Sequence, residues 1–462
     1  MGRVAFLFPA FPVFHQTFVL GEVLGLRRNG VQPKLYSLHR PSRQQQPEGR
    51  DIAREVTFLP RLVSVAVLRA NWRFLRDNAR RYWQLYVKVA QAWRSGAVAP
   101  PASAEDDGEW KLSLYDRGRG WFNTQPHLYL LKSLLLVPTA VHLAEELRAK
   151  EITHLHVHWA SYPATAAYVV HLISGLPFSV SAHAYDIYMV SRMLPTKLRA
   201  ARFVVTCAKA NARYLTELAG PELDGKIFVN YHGVDISRFA PGAAPRSTEA
   251  LSIVSCGQLE RYKGMHVLIN ACAELTRQGV ALECWIVGEG PERSRLQGQI
   301  ERLGLTARVH LLGRRPHTEL AELLKKADVF VLASQLGCKF RRRDVIANVI
   351  VEAMATGIPV VASRVPGVEE LVEDRATGYL VEPNRADQLA AAIRKFIDHP
   401  ADRVRFGTAG RRRVLQDFDS SKNVRTLAGL FTALLTHDVE HRPVRSASSL
   451  SMAGCAILSA EQ

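Results

Sequence analysis

The sequence predicts an α/β protein built from two domains with parallel sheets, and three observations predict it. Short apolar runs alternate with amphipathic helical patterns along most of the chain, the signature of parallel strands covered by helices on both faces. A stretch rich in Gly, Pro, Ala and Ser, Gly233 to Glu249, separates two such series, as an interdomain connection would. The length of 462 residues also exceeds a single domain, on a prior of roughly 100 to 200 residues each.

Val4 to Phe8 is an apolar run closed by Pro9, and from Thr17 the residues Phe18, Val19, Val23, Leu24 and Leu26 recur at helical spacing as far as Asn29-Gly30. Pro33 to Ser37 is the next strand, so the chain opens as a parallel strand–helix–strand unit. Residues 61–98 interrupt the alternation with a helical pattern. There Trp72, Phe74, Leu75, Tyr82, Trp83, Leu85, Tyr86 and Trp93 are interleaved with Arg69, Arg73, Arg76, Arg80, Arg81, Lys88 and Arg94, against the single acid Asp77. Such a segment suits an anionic membrane interface, or equally a helical insertion whose rings pack on the domain while its charges face water. Ala97 to Gly120 has loop composition.

Strands follow at Ile152 to Trp159, Phe178 to Ser181, Phe203 to Thr206 and Lys226 to Asn230, with a helix after Pro163. The second series places strands at Ser252 to Cys256, Ala281 to Val287, Val309 to Leu312, Val329 to Leu332, Val360 to Ala362 and Tyr379 to Val381. Two Rossmann-like domains facing a cleft result, residues 1–240 and 241–436, with a Ser-, Ala- and Arg-rich tail at 437–462 expected to be disordered.

Composition narrows the function. Apolar residues make up 47% and charged residues 22%, the balance of a chain with a sizeable core. Lys and Arg number 60 against 43 Asp and Glu, a formal net charge of +17, which points to an anionic partner: nucleic acid, a membrane surface or a phosphorylated small molecule. The six cysteines are scattered without a C-x-x-C pair, which favours a reduced, cytosolic chain over a disulfide or zinc framework. Met1 to Phe6 imitates a signal peptide, but Pro9 and Pro12 break the run, and Phe6 stands where a myristoylation signal needs Ser or Thr. The apolar stretch Leu128 to Leu147 is interrupted by Lys132, Pro138 and Glu145-Glu146, so no transmembrane helix is expected.

In open parallel sheets, ligands bind beyond the carboxyl ends of the strands. The strand ending at Cys256 leads into Gly257-Gln258-Leu259-Glu260-Arg261-Tyr262-Lys263-Gly264, where Lys263 could hold a diphosphate as a point charge or simply be a solvated lysine at a helix start. Gly288-Glu289-Gly290-Pro291 follows another strand, and its glycines permit either close approach to a ligand or packing alone. Asp344 to Gly357 runs from a basic loop into an apolar helix. A ligand over that helix start could reach both Asp344 and Glu352, since a carboxylate can accept two sugar or ribose hydroxyls; the plainer alternative is an N-cap aspartate and a surface glutamate. His154, His156 and His158 share one face of a strand, but zinc needs ligands that converge and a straight strand spreads them. His183, at the end of the strand Phe178 to Ser181, is the better candidate for a cleft residue, with a hydrogen-bonded structural histidine as the alternative.

Over roughly residues 1–435 the chain resembles family 4 retaining glycosyltransferases of GT-B fold, most closely the bacterial exopolysaccharide enzymes of the colanic acid type. The resemblance rests on Phe11-Pro12 with Thr17-Phe18, His156-x-His158, Ala182-His183-Ala184-x-Asp186-Ile187-Tyr188, His232-Gly233-Val234-Asp235 with Phe239 and Pro241, Val287 to Pro291, and the acid-x7-Glu pattern from Asp344 to Glu352. It implies an N-terminal acceptor domain and a C-terminal donor domain whose last helices, Arg411 to Leu435, cross back. Glu352 would bind the ribose of a nucleotide-sugar, Asp344 the donor sugar and Lys263 the diphosphate, with Gly257, Gln258, Arg261, Gly288, Gly290 and Asn348 around them. His183 and Asp186, with Asp344, would form the catalytic surroundings, and Phe11, His158, His183 and Asp186 the acceptor side.

The implied reaction is a retaining hexosyl transfer to a lipid-linked or growing polysaccharide acceptor at the inner face of the plasma membrane. It takes a nucleotide-sugar as substrate and asks for no metal and no other cofactor. A nucleic-acid partner is not expected, because the basic residues are spread over both domains and no nucleic-acid module is visible. Gln258 stands where the family usually carries an arginine, Tyr185 replaces a common lysine, and Val345-Ile346-Ala347 replaces Gly-Ile-Pro. These departures sustain a second reading, a catalytically weakened homologue that binds glycan or nucleotide, or scaffolds an assembly.

Overall fold

The computed structural model of the protein describes residues 3–13, 17–41, 47–94, 126–188, 191–242, 250–335 and 346–436. They fall into two compact units, the first holding the described residues up to Asn230 and from Val424 onward, the second running from Tyr231 to Asn423. The stretch expected as a loop at Ala97 to Gly120 and the tail at 437–462 lie outside the described residues.

In the first unit the apolar runs become strands β1 Val4–Ala10, β2 Lys34–His39, β3 Thr57–Phe58, β4 His154–His158, β5 Phe178–Ala182, β6 Val204–Thr206 and β7 Ile227–Val229. They form one all-parallel sheet in the order β3-β2-β1-β4-β5-β6-β7. The edge strand β3 was not predicted, since two residues are too few to carry a periodicity. Every residue of β4 and β5 is buried, including the histidines that alternate along β4 and the serines that alternate along β5. Phe6, Phe8, Phe11, Phe203 and Phe431 centre the core on one face of this sheet.

The basic, aromatic segment forms helix Val65–Arg94, interrupted at Asn78, where φ −147 and ψ 53 leave the helical region. The Tyr82 hydroxyl donates to Asn71 Oδ1 at 3.0 Å, eleven residues back. A straight helix would hold those positions about 16 Å apart, so the two arms fold against each other at Asn78.

His127–Ala149 is long and apolar enough, by length and composition, to cross a membrane, contrary to the sequence expectation that its charges and proline rule this out. In the fold it is two helices, Pro126–Leu135 and Val137–Ala149. The second buries Val137, Val141, Leu143 and Leu147 and packs against both helix Val65–Arg94 and helix Tyr162–Ser174, a core position that explains its composition without a bilayer.

The second unit contains β8 Leu251–Cys256, β9 Leu282–Val287, β10 Val309–Gly313, β11 Val329–Leu332, β12 Val360–Ser363 and β13 Gly378–Val381. These too are all parallel, in the order β10-β9-β8-β11-β12-β13. Helix Met265–Arg277 buries Leu268, Ile269 and Leu275 completely, each worth about 1.5–3 kcal/mol relative to exposure. The strand order reverses between β8 and β11, and between β1 and β4 in the first unit. At such switch points neighbouring connections leave in opposite directions and open a crevice beyond the strand ends.

Candidate functional site

The second unit builds its site from the segments that follow β8, β9 and β11. The turns after β8 and β9 are laced together: the amides of Gly257 and Leu259 donate to the carbonyls of Val287 and Glu289 at 3.0 Å, and that of Glu292 to Leu259 at 3.0 Å. Glycine is what permits this approach. A Cβ on Gly288 would stand 1.8 Å from the Gly257 carbonyl oxygen, and one on Gly290 2.5 Å from that of Leu259. Gly288 and Gly290 are therefore required by the packing between the two turns.

Arg261–Lys263 form a 3₁₀ turn closed by Gly264 at φ 68, where a Cβ would meet the Ala333 carbonyl oxygen at 1.7 Å. The turn thus abuts the end of β11. The Gln335 amide donates to the Tyr262 carbonyl at 2.8 Å, and Gln335 Nε2 lies 3.0 Å from His266 Nε2. Burial, with the charge of Arg261 beside it, lowers His266 to about 4; burial raises Glu292 and the same arginine opposes that rise. The charge of Arg261 is thus felt by both His266 and Glu292, while Gln258 is exposed.

Helix Asn348–Ala355 follows β11 and carries Asn348 and Glu352 one turn apart on one face. Asn348 Oδ1 is buried and has no hydrogen-bond partner among the described residues. Burial pushes Glu352 up to about 7, against the charge of Arg238. The Cys256 thiol, at the end of β8, is pushed up to about 12 by burial and by the charge of Glu352, with Lys263 opposing. Lys263 and Glu352 thus share one electrostatic neighbourhood across the β8/β11 switch point. Asp344 and Val345 lie outside the described residues.

In the first unit His183 is half-buried, its ring centroid 5.0 Å from Trp159, 5.3 Å from Phe18 and 6.0 Å from His158. Asp186 differs from the expectation that its carboxylate lines a cleft. It is buried, and its oxygens accept from the amides of His183, at 2.8 Å, and Ala160. Opposite stands Lys197, 1% exposed, whose Nζ donates to the carbonyls of Ala160 (2.5 Å) and Ser161 (3.2 Å) and to the Tyr129 hydroxyl (3.2 Å). Asp186 and Lys197 therefore grip the Ala160 residue from its amide and carbonyl sides, next to Trp159 at φ 73.

Burial drives Asp186 up and Lys197 down, each to about 7. Amide donors on the carboxylate and carbonyl acceptors on the amine both favour the charged forms, so the two groups hold one residue from opposite sides. Lys197 was missed in the sequence, where Pro195-Thr196-Lys197 looks like a solvated helix start.

Two more acceptor-side residues are corrected. Phe11 is buried and stacks on Phe8 at 4.3 Å, and His158 is buried with Nε2 3.2 Å from Glu22 Oε1. Both belong to the core and offer no surface to an acceptor. The strand histidines form a hydrogen-bonded chain: His154 Nε2 to Ser179 Oγ at 2.7 Å, Ser179 Oγ to His156 Nδ1 at 2.7 Å, and His156 Nε2 to Ser181 Oγ at 3.0 Å. Burial holds His154 down to about 3 and His156 well below the usual imidazole range. The expected spread along the strand omitted Glu22 from the neighbouring helix: Glu22, His156 and His158 bring one potential ligand atom each within 4.8 Å of one another. Both His156 nitrogens are already engaged by serine hydroxyls, so a metal there would have to displace one of them.

Residues 240–413 match the family model described as Glycosyl transferases group 1. The putative colanic acid biosynthesis glycosyltransferase WcaL of Escherichia coli K12 is 38% identical over 210 residues, 45% of this chain and 52% of that protein. The chain therefore spans about half the length of this relative. Glycogen synthase of Mycobacterium tuberculosis H37Rv is 30% identical over 286 residues, 58% of this chain and 65% of the synthase. Anabaena HepE, solved in complex with UDP, superposes with a TM-score of 0.65 at 18% identity, covering 93% of this chain and 100% of its own. At that identity the likeness is one of fold, the GT-B architecture of two parallel-sheet α/β domains.

Proposed function

We propose that the chain is a retaining glycosyltransferase that moves a hexosyl group from a nucleotide-sugar to a lipid-linked or growing polysaccharide acceptor, in exopolysaccharide synthesis at the cytoplasmic face of the plasma membrane. The observation that carries the reading is the start of helix Asn348–Ala355 beyond the β8/β11 switch point, where the Asn348 oxygen is buried without a hydrogen-bond partner among the described residues and Glu352 lies buried one turn on. A carboxylate there suits a ribose, and Lys263, in the turn after β8, suits the diphosphate of the same ligand. The family match over residues 240–413 and the likeness to WcaL support the same chemistry.

In this reading Glu352 accepts the ribose hydroxyls, Lys263 faces the diphosphate and Asp344 the hydroxyls of the sugar. The acceptor hydroxyl oxygen attacks the anomeric carbon on the face from which the diphosphate departs. A leaving phosphate oxygen takes the acceptor's proton, so the configuration is kept. Lys263 and nearby amides stabilise the negative charge that develops on the leaving group, and the step asks for no metal. Asp186 acts on His183 as a positioning residue, through the His183 amide.

Gln258 favours a second reading, since this exposed, neutral side chain stands where a cation would strengthen diphosphate binding. In that case the protein is a weakened homologue that binds glycan or nucleotide without efficient transfer. Calorimetric titration with a panel of UDP-, GDP- and ADP-sugars, with Lys263→Ala as control, tests the pair. One donor bound by the wild type and lost in the variant supports the enzyme; no binding across the panel overturns the donor site.

A further inference from the structure

Helix Val65–Arg94 meets the core with Val67, Ala70, Tyr82, Leu85, Val89 and Ala92. Its other side keeps large apolar groups in water. Trp72 is 66% exposed and Trp83 60%, and Leu68 and Val87 are also more than half exposed. At 100° per residue, Leu68 and Trp72 share a face with Arg69 and Arg76; beyond the break at Asn78, Trp83 and Val87 share one with Arg80 and Arg94. Helix Pro126–Leu135, which packs against this helix, adds the exposed Leu131 and Leu135. Asp77 pairs with Arg76, and Glu145 with Arg73; among the described residues no acid pairs with Arg69, Arg80 or Lys88.

Packing does not require the exposed tryptophans, because the opposite face already anchors the helix. A purely solvated face would carry the charges without the rings, and a buried protein–protein contact would leave cations so interspersed to be desolvated at a cost. Indole rings beside long cationic side chains fit one environment well, the boundary of a bilayer with anionic headgroups, where rings sit at the apolar edge and guanidinium groups meet phosphates. We infer that the outer face of helix Val65–Arg94, with Leu131 and Leu135 beside it, docks the protein on an anionic lipid surface through Trp72 and Trp83. The inference deepens the function proposed above by naming the surface that meets the membrane, and it stands or falls separately from the donor site.

The test is co-sedimentation of the full chain with vesicles of phosphatidylcholine containing about 30% phosphatidylglycerol, beside pure phosphatidylcholine, with tryptophan emission recorded. The expected result is binding to the anionic vesicles with a blue shift, weaker by roughly tenfold or more on the neutral ones. The Trp72→Ser/Trp83→Ser variant should lose roughly tenfold in affinity and most of the blue shift, with circular dichroism unchanged because both sites are exposed. An independent arm, Arg69→Glu/Arg80→Glu/Lys88→Glu, should lose at least as much. Absence of binding, equal binding to both vesicle types, or undiminished binding by the tryptophan variant would each overturn the docking face. Calorimetry with the nucleotide-sugar panel on the same variants keeps failure here distinct from failure of the donor site.

Discussion

Each unit reverses its strand order and gathers polar residues near the switch point, yet the two sets are finished differently. In the first unit Asp186 and Lys197 close on Ala160, and His154 and His156 alternate with the β5 serines in a hydrogen-bonded chain, although His154 Nδ1 and the His158 nitrogens have no hydrogen-bond partner among the described residues. In the second, Asn348 keeps a buried oxygen without a hydrogen-bond partner among the described residues and Glu352 is buried with its pKa raised to about 7. A buried polar group left unmatched costs about 1–3 kcal/mol, so a ligand that hydrogen-bonds Asn348 beyond the β8/β11 switch point would offset that cost. The contrast is between two charged groups closed on one loop residue and a helix start whose polar group stays open to a partner.

Breaking the scaffold should give the largest effect. Lys197→Met leaves the Asp186 charge buried without its counterpart and should cost about 3–5 kcal/mol of stability in urea denaturation. The double variant Asp186→Asn/Lys197→Met should lose clearly less than the sum of the single losses, because neither charge is then stranded. Additive losses would mean that the two groups do not act through Ala160 as a pair.

A smaller effect sharpens the ligand side. Burial raises Glu352 to about 7 in the folded protein from 4.5, so between those values the folded state holds a proton that the unfolded chain has released. This contribution is fully present below pH 4.5 and is lost as pH rises through 7. Glu352→Gln should flatten the decline in stability over that window by about 2–3 kcal/mol, read from urea midpoints at several pH values. Parallel pH profiles for the two proteins would place the carboxylate in contact with water. Glu352→Ala should also weaken nucleotide-sugar binding by at least roughly tenfold, about 1.4 kcal/mol, and unchanged affinity would remove this residue from the donor site.

The same contrast explains what the sequence could reveal. Strands β1 and β11 were legible as short apolar runs and β4, β5, β8 and β9 as runs in which apolar residues recur between turn-like segments, and Glu352 because it lies in the apolar helical pattern after Asp344. The role of Asp186 was not legible: its Ala160 partner lies 26 residues away and arrives only through the pairing of β4 with β5. Lys197 was hidden for the same reason, since nothing local marks a lysine that tertiary packing will bury. Phe11 and His158 carry a family pattern, but their side chains complete the core, so the pattern there records packing. The fold at Asn78 escaped as well, because a helical periodicity on both sides of a break looks continuous in one dimension.

The smallest predicted change would move the second unit further toward a ligand-binding surface. Gln258 is exposed in the turn that also carries Arg261 and Lys263, and the charge of Arg261 is felt by His266 and Glu292. The turn therefore offers cations for a diphosphate but a neutral side chain at Gln258. Gln258→Arg adds a planar donor at a site with room for it and should tighten nucleotide-sugar binding by roughly fivefold, about 1 kcal/mol, with the gain shrinking as salt is raised. Stability should hardly change, because an exposed side chain is replaced by another. Tighter binding without faster transfer would assign Gln258 to affinity alone and strengthen the weakened-homologue reading, whereas a parallel rise in both would show that diphosphate charge limits the reaction.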